Sequence, residues 1–302
     1  MSEELLKLEP IVRLAALLGV LAPMAAWEVL QPRRQLQVAK AYRWANNWGI
    51  VIVDTLLTRL LFPAGLVGIG LFVESQSWGL LQLLALPTWM LVILSIVFLD
   101  FLVWLQHVIF HAVPALWRLH RMHHADLDFD VTTGLRFHPL EILISFGVKA
   151  GGIVMIGAPA IAVLLFELIL SSLALFNHAN VSFPRPLERM LRFFLVTPDF
   201  HRVHHSWYPN ETNSNFGFNL SCWDRLLGTY RAQPRDGHDH MTIGLNLFRN
   251  PRWERLDHML VQPFLGPTDS YPIHQRTENV QSRSEARTDP HRQKSRTTKP
   301  PR

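Results

Sequence analysis

The sequence has a single cysteine, Cys222, and little charge. Lys, Arg, Asp and Glu make up 18% of its 302 residues, whereas hydrophobic residues make up 49%. One thiol excludes an intramolecular disulfide and a cysteine-bound metal cluster. No G-x-G-x-x-G and no P-loop pattern occurs, so the sequence predicts no nucleotide cofactor. Any metal site must therefore be built from nitrogen and oxygen ligands.

Long stretches without charge indicate membrane spans. Residues 75–99 carry no charge at all, and about 20 apolar residues are enough for a helix to cross a bilayer. Residues 11–30 and 49–73 are comparable, although Arg13, Glu28, Asp54 and Arg59 interrupt them, and residues 142–184 contain only Lys149 and Glu167. The last stretch predicts a hairpin that turns near residues 157–159. The sequence therefore predicts an all-α, multi-pass transmembrane helical bundle of about 4–5 spans, with a soluble helical core as the alternative.

The distribution of basic residues predicts the orientation of these spans. Arg33, Arg34, Lys40 and Arg43 lie between the first two spans, which marks that loop as cytoplasmic by the positive-inside rule. The loop at residues 74–78 has no Lys or Arg and is expected on the other side. Lys149 would lie inside a span, where a charge is costly, so a re-entrant hairpin remains the alternative to a fully crossing one.

Histidines are concentrated in the middle of the chain. Ten of the 15 fall between residues 107 and 205, and eight of these form three compact clusters. The clusters are His107 and His111, then His120, His123 and His124, then His201, His204 and His205. Residues three or four apart share one face of a helix, so each cluster can direct its imidazoles towards one point. Eight rings are too many for one ion, and the pattern predicts a two-metal site at the cytoplasmic face.

The C-terminal segment has a different composition. Residues 266–302 are rich in Pro, Ser, Thr and Gln and hold eight Lys or Arg against four Asp or Glu, which accounts for most of the net charge of +5. We interpret them as a disordered basic tail and expect no nucleic-acid partner. The predicted organisation is therefore N-terminal transmembrane helices at 1–74, a histidine-rich domain with transmembrane helices at 75–265, and the tail at 266–302.

The motifs resemble the fatty acid hydroxylase/sterol desaturase superfamily, whose members are membrane-bound non-haem di-iron oxygenases. The matching segments are DFLVWLQHVIFH, LHRMHH, RFHPLE, NHAN, DFHRVHHS and NFGFNLSCWDRLLGTY, and they cover residues 100–230. The resemblance implies two Fe ions, O2 as co-substrate and the eight clustered histidines as metal ligands and catalytic residues. It also implies further ligands, with His178 the better match and His138 the weaker one.

Polar residues close to the histidines in sequence are candidates to orient the ligand rings, because the second ring nitrogen of a metal-bound imidazole usually donates a hydrogen bond. These candidates are Asp100, Glu141, Asn177, Asn180 and Asp199. Asp126, Asp128 and Asp130 are instead expected in a solvated loop. The histidines beyond the motifs are expected on the surface, and these are His238, His240, His258, His274 and His291.

The function expected from this pattern is oxidation of a lipid C–H bond, by hydroxylation or desaturation of a fatty-acyl, alkyl or sterol-like group. Electrons would come from a separate carrier, such as a ferredoxin or a cytochrome b5-like protein. A membrane zinc peptidase is an alternative, but its H-E-x-x-H motif needs Glu where this chain has Val108, Arg121 or Arg202. A metal-ion transporter would place its ligands near the bilayer midplane, and a bis-His haem protein would not need eight.

Overall fold

The computed structural model describes residues 2–273, and these fold into α-helices with short connections. No strand occurs among them, only the isolated bridges Leu195↔Leu220 and Ser206↔Ile243. The α-helices are α1 Ser2–Leu30, α2 Lys40–Leu61, α3 Gly65–Gln76, α4 Thr88–Ala112, α5 Pro114–His124, α6 Pro139–Ile156, α7 Ala160–Asn177, α8 Arg185–Phe194, α9 Pro198–His204, α10 Pro209–Thr212, α11 Cys222–Leu226, α12 Gly237–His240 and α13 Leu256–Val261. Short 3₁₀ turns occur at Leu80–Leu83, Thr133–Leu135, Pro251–Glu254 and Gln262–Phe264.

Five helical segments in the described part of the chain are long and apolar enough to cross a membrane. They are Lys7–Leu30, Lys40–Leu83, Thr88–Ala112, Pro139–Ile156 and Ala160–Asn177. The second comprises α2 and α3, which are separated at Phe62–Ala64, where Pro63 interrupts the helix. Large hydrophobic side chains on the outer surface of this bundle are exposed, including Ile11, Ile52 and Trp89, as expected for contact with lipid. The predicted all-α bundle of about 4–5 spans is confirmed.

The third span begins later than the charge pattern suggests. The uncharged run starts at residue 75, but α4 begins only at Thr88, so the first part of the run lies before the spanning helix. Gly79 has a φ of 100°, and a Cβ there would lie 2.0 Å from the backbone nitrogen of Gly157. This backbone contact holds the segment before α4 against the turn between α6 and α7, and it requires glycine on both sides.

The predicted hairpin consists of α6 and α7. Gly157 ends α6 with a left-handed φ of 74°, and Pro159 precedes α7. Each helix has 18 residues and is about 27 Å long, close to the thickness of the bilayer core. Leu99, Ile153 and Val163 are among the buried side chains of the core that joins α3, α4, α6 and α7.

The three aspartates after α5 are buried, so the expectation of a solvated loop was wrong. The guanidinium of Arg43 donates to Asp126 at 2.7 and 2.9 Å and also to Asp130. Asp128 accepts from the backbone nitrogens of Gln37 and Val38. Burial alone would raise the pKa of Asp126, but the adjacent Arg43 keeps it below its ordinary value. This network fixes the start of α2 against the segment that follows the second histidine cluster.

The beginning of the predicted tail packs onto the helical domain. Tyr271 is buried, stacks on Trp117 with ring centroids 5.6 Å apart, and donates from its hydroxyl to the carbonyl of Trp207. Arg121 donates to the carbonyl of Pro267 at 2.7 Å. Residues 266–273 are therefore part of the packed structure, because an aromatic ring and carbonyl acceptors within them have partners. The rest of the predicted tail, 274–302, lies outside the described residues.

Arg43→Gln should lower the free energy of unfolding by about 3–5 kcal/mol, because it leaves buried carboxylates without a counter-charge. Arg255→Gln is the matched control: Arg255 pairs with Asp257, and both side chains are exposed, so its removal should leave the stability nearly unchanged. Thermal unfolding of the purified proteins measures both. Equal stability of the two variants would contradict a structural role for the Arg43 network.

Labelling of single cysteines can test the orientation of the bundle. In a Cys222→Ser background, cysteines replacing Gln76 and Arg189, which are both exposed, should react with a membrane-impermeant maleimide from opposite sides of the membrane. The background protein without cysteine is the control for non-specific labelling. Reaction of both positions from the same side would show that the number of crossings between them is wrong.

Candidate metal centre

Nine buried histidines converge into two groups. The first group is His107, His111, His120, His124 and His204, and the second is His123, His178, His201 and His205. Within each group, one ring nitrogen of every residue lies within 4.8 Å of the corresponding nitrogens of the others. The structure therefore brings together all eight clustered histidines and His178, and it divides the second and third sequence clusters between two adjacent sites.

Local sequence explains how short helices place these rings. Pro114 occupies the first turn of α5, where its missing N–H costs nothing, and the helix carries His120, His123 and His124. Pro198 starts α9 in the same way, and the Thr197 hydroxyl caps it by accepting from the nitrogen of Phe200 at 3.2 Å. Both helices end at their histidines, so the rings sit at helix termini next to the last turn of α4.

Hydrogen bonds fix which nitrogen of most rings carries the proton. His107, His178 and His204 each direct Nδ1 at a backbone carbonyl 2.7 Å away. The acceptors of the six Nδ1 donors are Phe216 O for His107, Asn213 Oδ1 for His111, Glu141 Oε1 for His120, Arg136 O for His123, Ala174 O for His178 and Ser214 O for His204. The carbonyl and amide oxygens only accept, and so does the Glu141 carboxylate, so we assign the ring proton to Nδ1, and Nε2 keeps its lone pair.

These lone pairs face one another. The Nε2 atom of His107 lies 3.0 Å from Nε2 of His120 and 3.0 Å from Nε2 of His204. In the second group, Nε2 of His123 and His178 are 3.2 Å apart. Two acceptors cannot hydrogen-bond, whereas two nitrogens bound at right angles to one ion, each at about 2.1 Å, lie about 3.0 Å apart. The spacing therefore fits a cation between the rings.

His201 and His205 give independent support for a bound ion. Both nitrogens of each ring are buried and have no hydrogen-bond partner in the described part of the chain. Buried polar atoms almost always have a partner, and each exception requires an explanation. A metal ion in the second group supplies one, because it would bind one nitrogen of each ring.

The electrostatics of the site also favour metal binding. Burial lowers the pKa of His120 to about 3 and that of His178 to about 4. Burial, followed by the neighbouring imidazoles, also lowers the pKa of His123, His204 and His205 well below 6.5. These rings are therefore neutral at pH 7, which is the form that binds a metal.

Glu141 contacts a ligand ring as the sequence suggests, at 2.6 Å from Nδ1 of His120. Among the described residues, neither Asp100 nor Asn177 forms a hydrogen bond with a histidine. Asp100 accepts from Nε1 of Trp223 at 2.8 Å, and Asn177 donates to the carbonyl of Phe218 at 2.9 Å. Both hydrogen bonds hold the loop that contains Phe216, whose carbonyl accepts from His107. Asp100 and Asn177 therefore act on the histidines through this loop and not directly, as the sequence suggested.

The other two candidate positioning residues hold the connections around the site. Asn180 exchanges hydrogen bonds with the backbone of Arg34 at 3.0 and 2.7 Å. Asp199 pairs with Arg202 and lies 3.9 Å from His238. His238 is itself buried, so its expected surface position was wrong.

His138 lies outside both groups. Its Nδ1 accepts from the backbone nitrogen of Leu140 and caps α6, and its Nε2 donates to the carbonyl of Leu260 at 3.1 Å. Both ring nitrogens are occupied, so no lone pair is free for a metal. The residues missed by sequence reasoning include Asn213 and the carbonyl groups of Ser214 and Phe216. Every residue type has a backbone carbonyl, so the sequence could not indicate these acceptors. The only signal for this loop was that its NFGF segment belongs to the motifs that resemble the superfamily.

An apolar cavity of about 250 Å³ reaches the first group. His107 and His120 lie in its wall, together with Phe110, Phe137 and Phe218. Lys149 and Ser171 lie in the part of its wall formed by α6 and α7. A mostly apolar cavity with a few polar groups in its wall is typical of a site for a largely hydrocarbon ligand.

Comparisons with known proteins agree with this geometry. Residues 92–229 match the family described as fatty acid hydroxylase. The chain is 33% identical over 145 residues to an ornithine lipid hydroxylase of Rhizobium tropici, covering 48% of this chain and 43% of that protein. It is 31% identical over 181 residues to an alkylglycerol monooxygenase of Xenopus tropicalis, covering 57% of this chain and 38% of that protein. It is also 29% identical over 137 residues to a cholesterol 25-hydroxylase of Homo sapiens, covering 44% of this chain and 48% of that protein.

The chain spans less than half the length of each of these relatives. No solved structure matches it. The matched segment contains all eight clustered histidines and His178. The resemblance to the superfamily indicated by the histidine motifs is thus confirmed over residues 92–229.

Proposed function

We propose that this protein is a membrane-bound di-iron oxygenase that hydroxylates or desaturates a lipid C–H bond with O2 and external electrons. The observation that carries the proposal is the set of unprotonated Nε2 atoms facing one another at 3.0–3.2 Å beside an apolar cavity. A cation site that borders a hydrocarbon cavity suits oxidation of an unactivated carbon.

The donor set supports iron in both groups. All nine proposed ligands are neutral imidazoles, which suit iron, zinc, copper and nickel, and membership of the superfamily favours iron among them. When bound, the two irons would supply activation of O2. The ligands we propose for them are the nine histidines of the two groups, without His138.

The protein residues position and shield this chemistry. Glu141 accepts a hydrogen bond from Nδ1 of His120 and increases the basicity of that ring. The carbonyls of Ser214 and Phe216 hold His204 and His107 with their lone pairs directed at the site. Phe110 and Phe137 line the cavity and exclude water from the reacting carbon.

The relatives favour hydroxylation over desaturation. Their names describe hydroxylation or monooxygenation of ornithine lipid, alkylglycerol and cholesterol, which share hydrocarbon character but not a head group. We therefore propose hydroxylation of an amphiphilic lipid drawn from the bilayer. Lipid mass spectrometry of cells with and without the protein tests this: a lipid one oxygen atom heavier is expected, whereas a lipid that lacks two hydrogens would favour desaturation.

We further propose that the metal site faces the cytoplasm, in the inner membrane if the protein is bacterial, and receives electrons from a separate ferredoxin or cytochrome b5-like carrier. The absence of a nucleotide motif from the sequence supports a separate donor. A zinc hydrolase is not favoured, because no glutamate follows the first histidine of any cluster, and Glu141 is engaged by His120.

His124→Ala and His205→Ala should each lower the bound iron below two per chain and abolish turnover, because each removes a ligand from a different group. His240→Ala is the control, since His240 is exposed and belongs to neither group. Metal analysis and an optical spectrum of the purified proteins measure the outcome. Full iron content and turnover in both ligand variants, or a haem absorption band in the wild type, would contradict the di-iron assignment.

Glu141→Gln should reduce turnover by about 10–100-fold while most of the iron is retained, because the amide oxygen still accepts from His120 but carries no charge. Glu74→Gln, at an exposed position outside the site, is the control and should match the wild type. Turnover of Glu141→Gln equal to that of the control would show that the His120–Glu141 contact has no part in the chemistry.

A further inference from the structure

A second, larger cavity adjoins the apolar one. It has a volume of about 630 Å³ and is bounded by α1, α2, the start of α3, α6 and α7. Ile142, Lys149 and Ser171 line both cavities, so the two meet at this wall. The second cavity is lined by six ionisable side chains: Glu9, Arg13, Asp54, Arg59, Lys149 and Glu167. Charged residues inside a membrane bundle are costly and mark the path or binding site of a ligand.

Three of the six charged side chains pair with one another within the protein. Arg13 donates to Glu9 at 2.8 Å and to Glu167 at 2.6 Å. The remaining three are Asp54, Arg59 and Lys149, whose charged groups form no hydrogen bond or ion pair in the described part of the chain, and Oδ1 of Asp54 is buried without a partner. The cavity thus offers two basic groups and one carboxyl group that have no partner among the described residues, although its six formal charges sum to zero.

We propose that this second cavity binds the head group of the lipid substrate, and that the head group is zwitterionic. The inference rests on the lipid-oxygenase function proposed above. An anionic phosphate or carboxylate of the lipid would pair with Lys149 and Arg59, and its ammonium group would pair with Asp54. A purely anionic head group leaves Asp54 unpaired, and an uncharged one leaves all three groups unpaired.

The spacing along α6 separates the head group from the reacting carbon. Lys149 follows Glu141 by eight residues on this helix, which corresponds to about 12 Å, and Glu141 contacts His120 of the first metal group. A lipid anchored at Lys149 therefore extends its hydrocarbon chain through the apolar cavity before it reaches the metal site. The proposal predicts oxidation on the chain rather than on the head group.

Photo-crosslinking can test the head-group site without turnover. The probes are three single-chain lipids with a diazirine at the far end of the chain: an alkyl phosphoethanolamine, an alkyl phosphate and an alkyl glucoside. The iron-loaded protein is held in a neutral maltoside detergent. The phosphoethanolamine should bind at least about tenfold more tightly than the glucoside and should label residues that line the apolar cavity.

Lys149→Met and Asp54→Asn should each weaken phosphoethanolamine binding by about tenfold or more, with no change for the glucoside. Lys149→Arg keeps the charge and should restore binding, which a merely structural role of Lys149 would not predict. Glu74→Gln lies outside the cavity and is the control. Unchanged thermal stability and iron content would show that the variants are folded.

Equal binding of the phosphoethanolamine and the glucoside would overturn the proposal. Equal binding of the alkyl phosphate, with no effect of Asp54→Asn, would also overturn it, in favour of an anionic head group. Specific phosphoethanolamine binding with no oxidation of any lipid would support the head-group site and contradict the oxygenase. If the protein oxidises a lipid, but the Lys149→Met and Asp54→Asn variants bind all three probes as the wild type does, only the head-group site is contradicted.

Discussion

The structure depends on an unusual constraint: nine imidazoles are buried together, and their unprotonated nitrogens face one another. His107 illustrates it, since its Nε2 lies 3.0 Å from the equivalent atoms of both His120 and His204. Without a cation, this arrangement places lone pairs against lone pairs. The buried ring nitrogens of His201 and His205 would then have no hydrogen-bond partner among the described residues. With a cation in each group, the same contacts become coordination, so metal binding and folding of this region are expected to be linked.

The surrounding structure supplies the rigidity that such a site needs. Ligand rings are held by backbone carbonyls of the 213–216 loop, and Asp100 and Asn177 hold the neighbouring part of the same loop. Arg43 fixes Asp126 and Asp130 directly after the second histidine cluster. The transmembrane helices carry the first histidine pair at the end of α4 and enclose two adjoining cavities. In the proposed function, this membrane bundle delivers a hydrocarbon chain from the lipid phase to a site made of imidazole nitrogens.

The sequence predicts the fold class and nearly all the proposed ligands, because helical spacing of three and four residues is a local property. The division into five and four rings could not be predicted, since it depends on how α4, α5 and α9 approach one another. Asp126 and Asp130 seemed to belong to a solvated loop because their partner, Arg43, lies 83 and 87 residues earlier. His138 matched the family pattern, but the position before Pro139 makes it a helix cap. Tyr271 was assigned to the tail because nothing in the local composition reveals its stacking on Trp117.

The central claim is that two irons are held by nitrogen ligands in groups of five and four histidines. X-ray absorption spectroscopy at the iron edge of the purified protein tests it most directly. The account predicts a first shell dominated by nitrogen at about 2.1 Å, with the outer-shell scattering of imidazole corresponding to between four and five rings per iron. A shell dominated by carboxylate oxygen or sulfur, or one with only one or two imidazoles per iron, would contradict it.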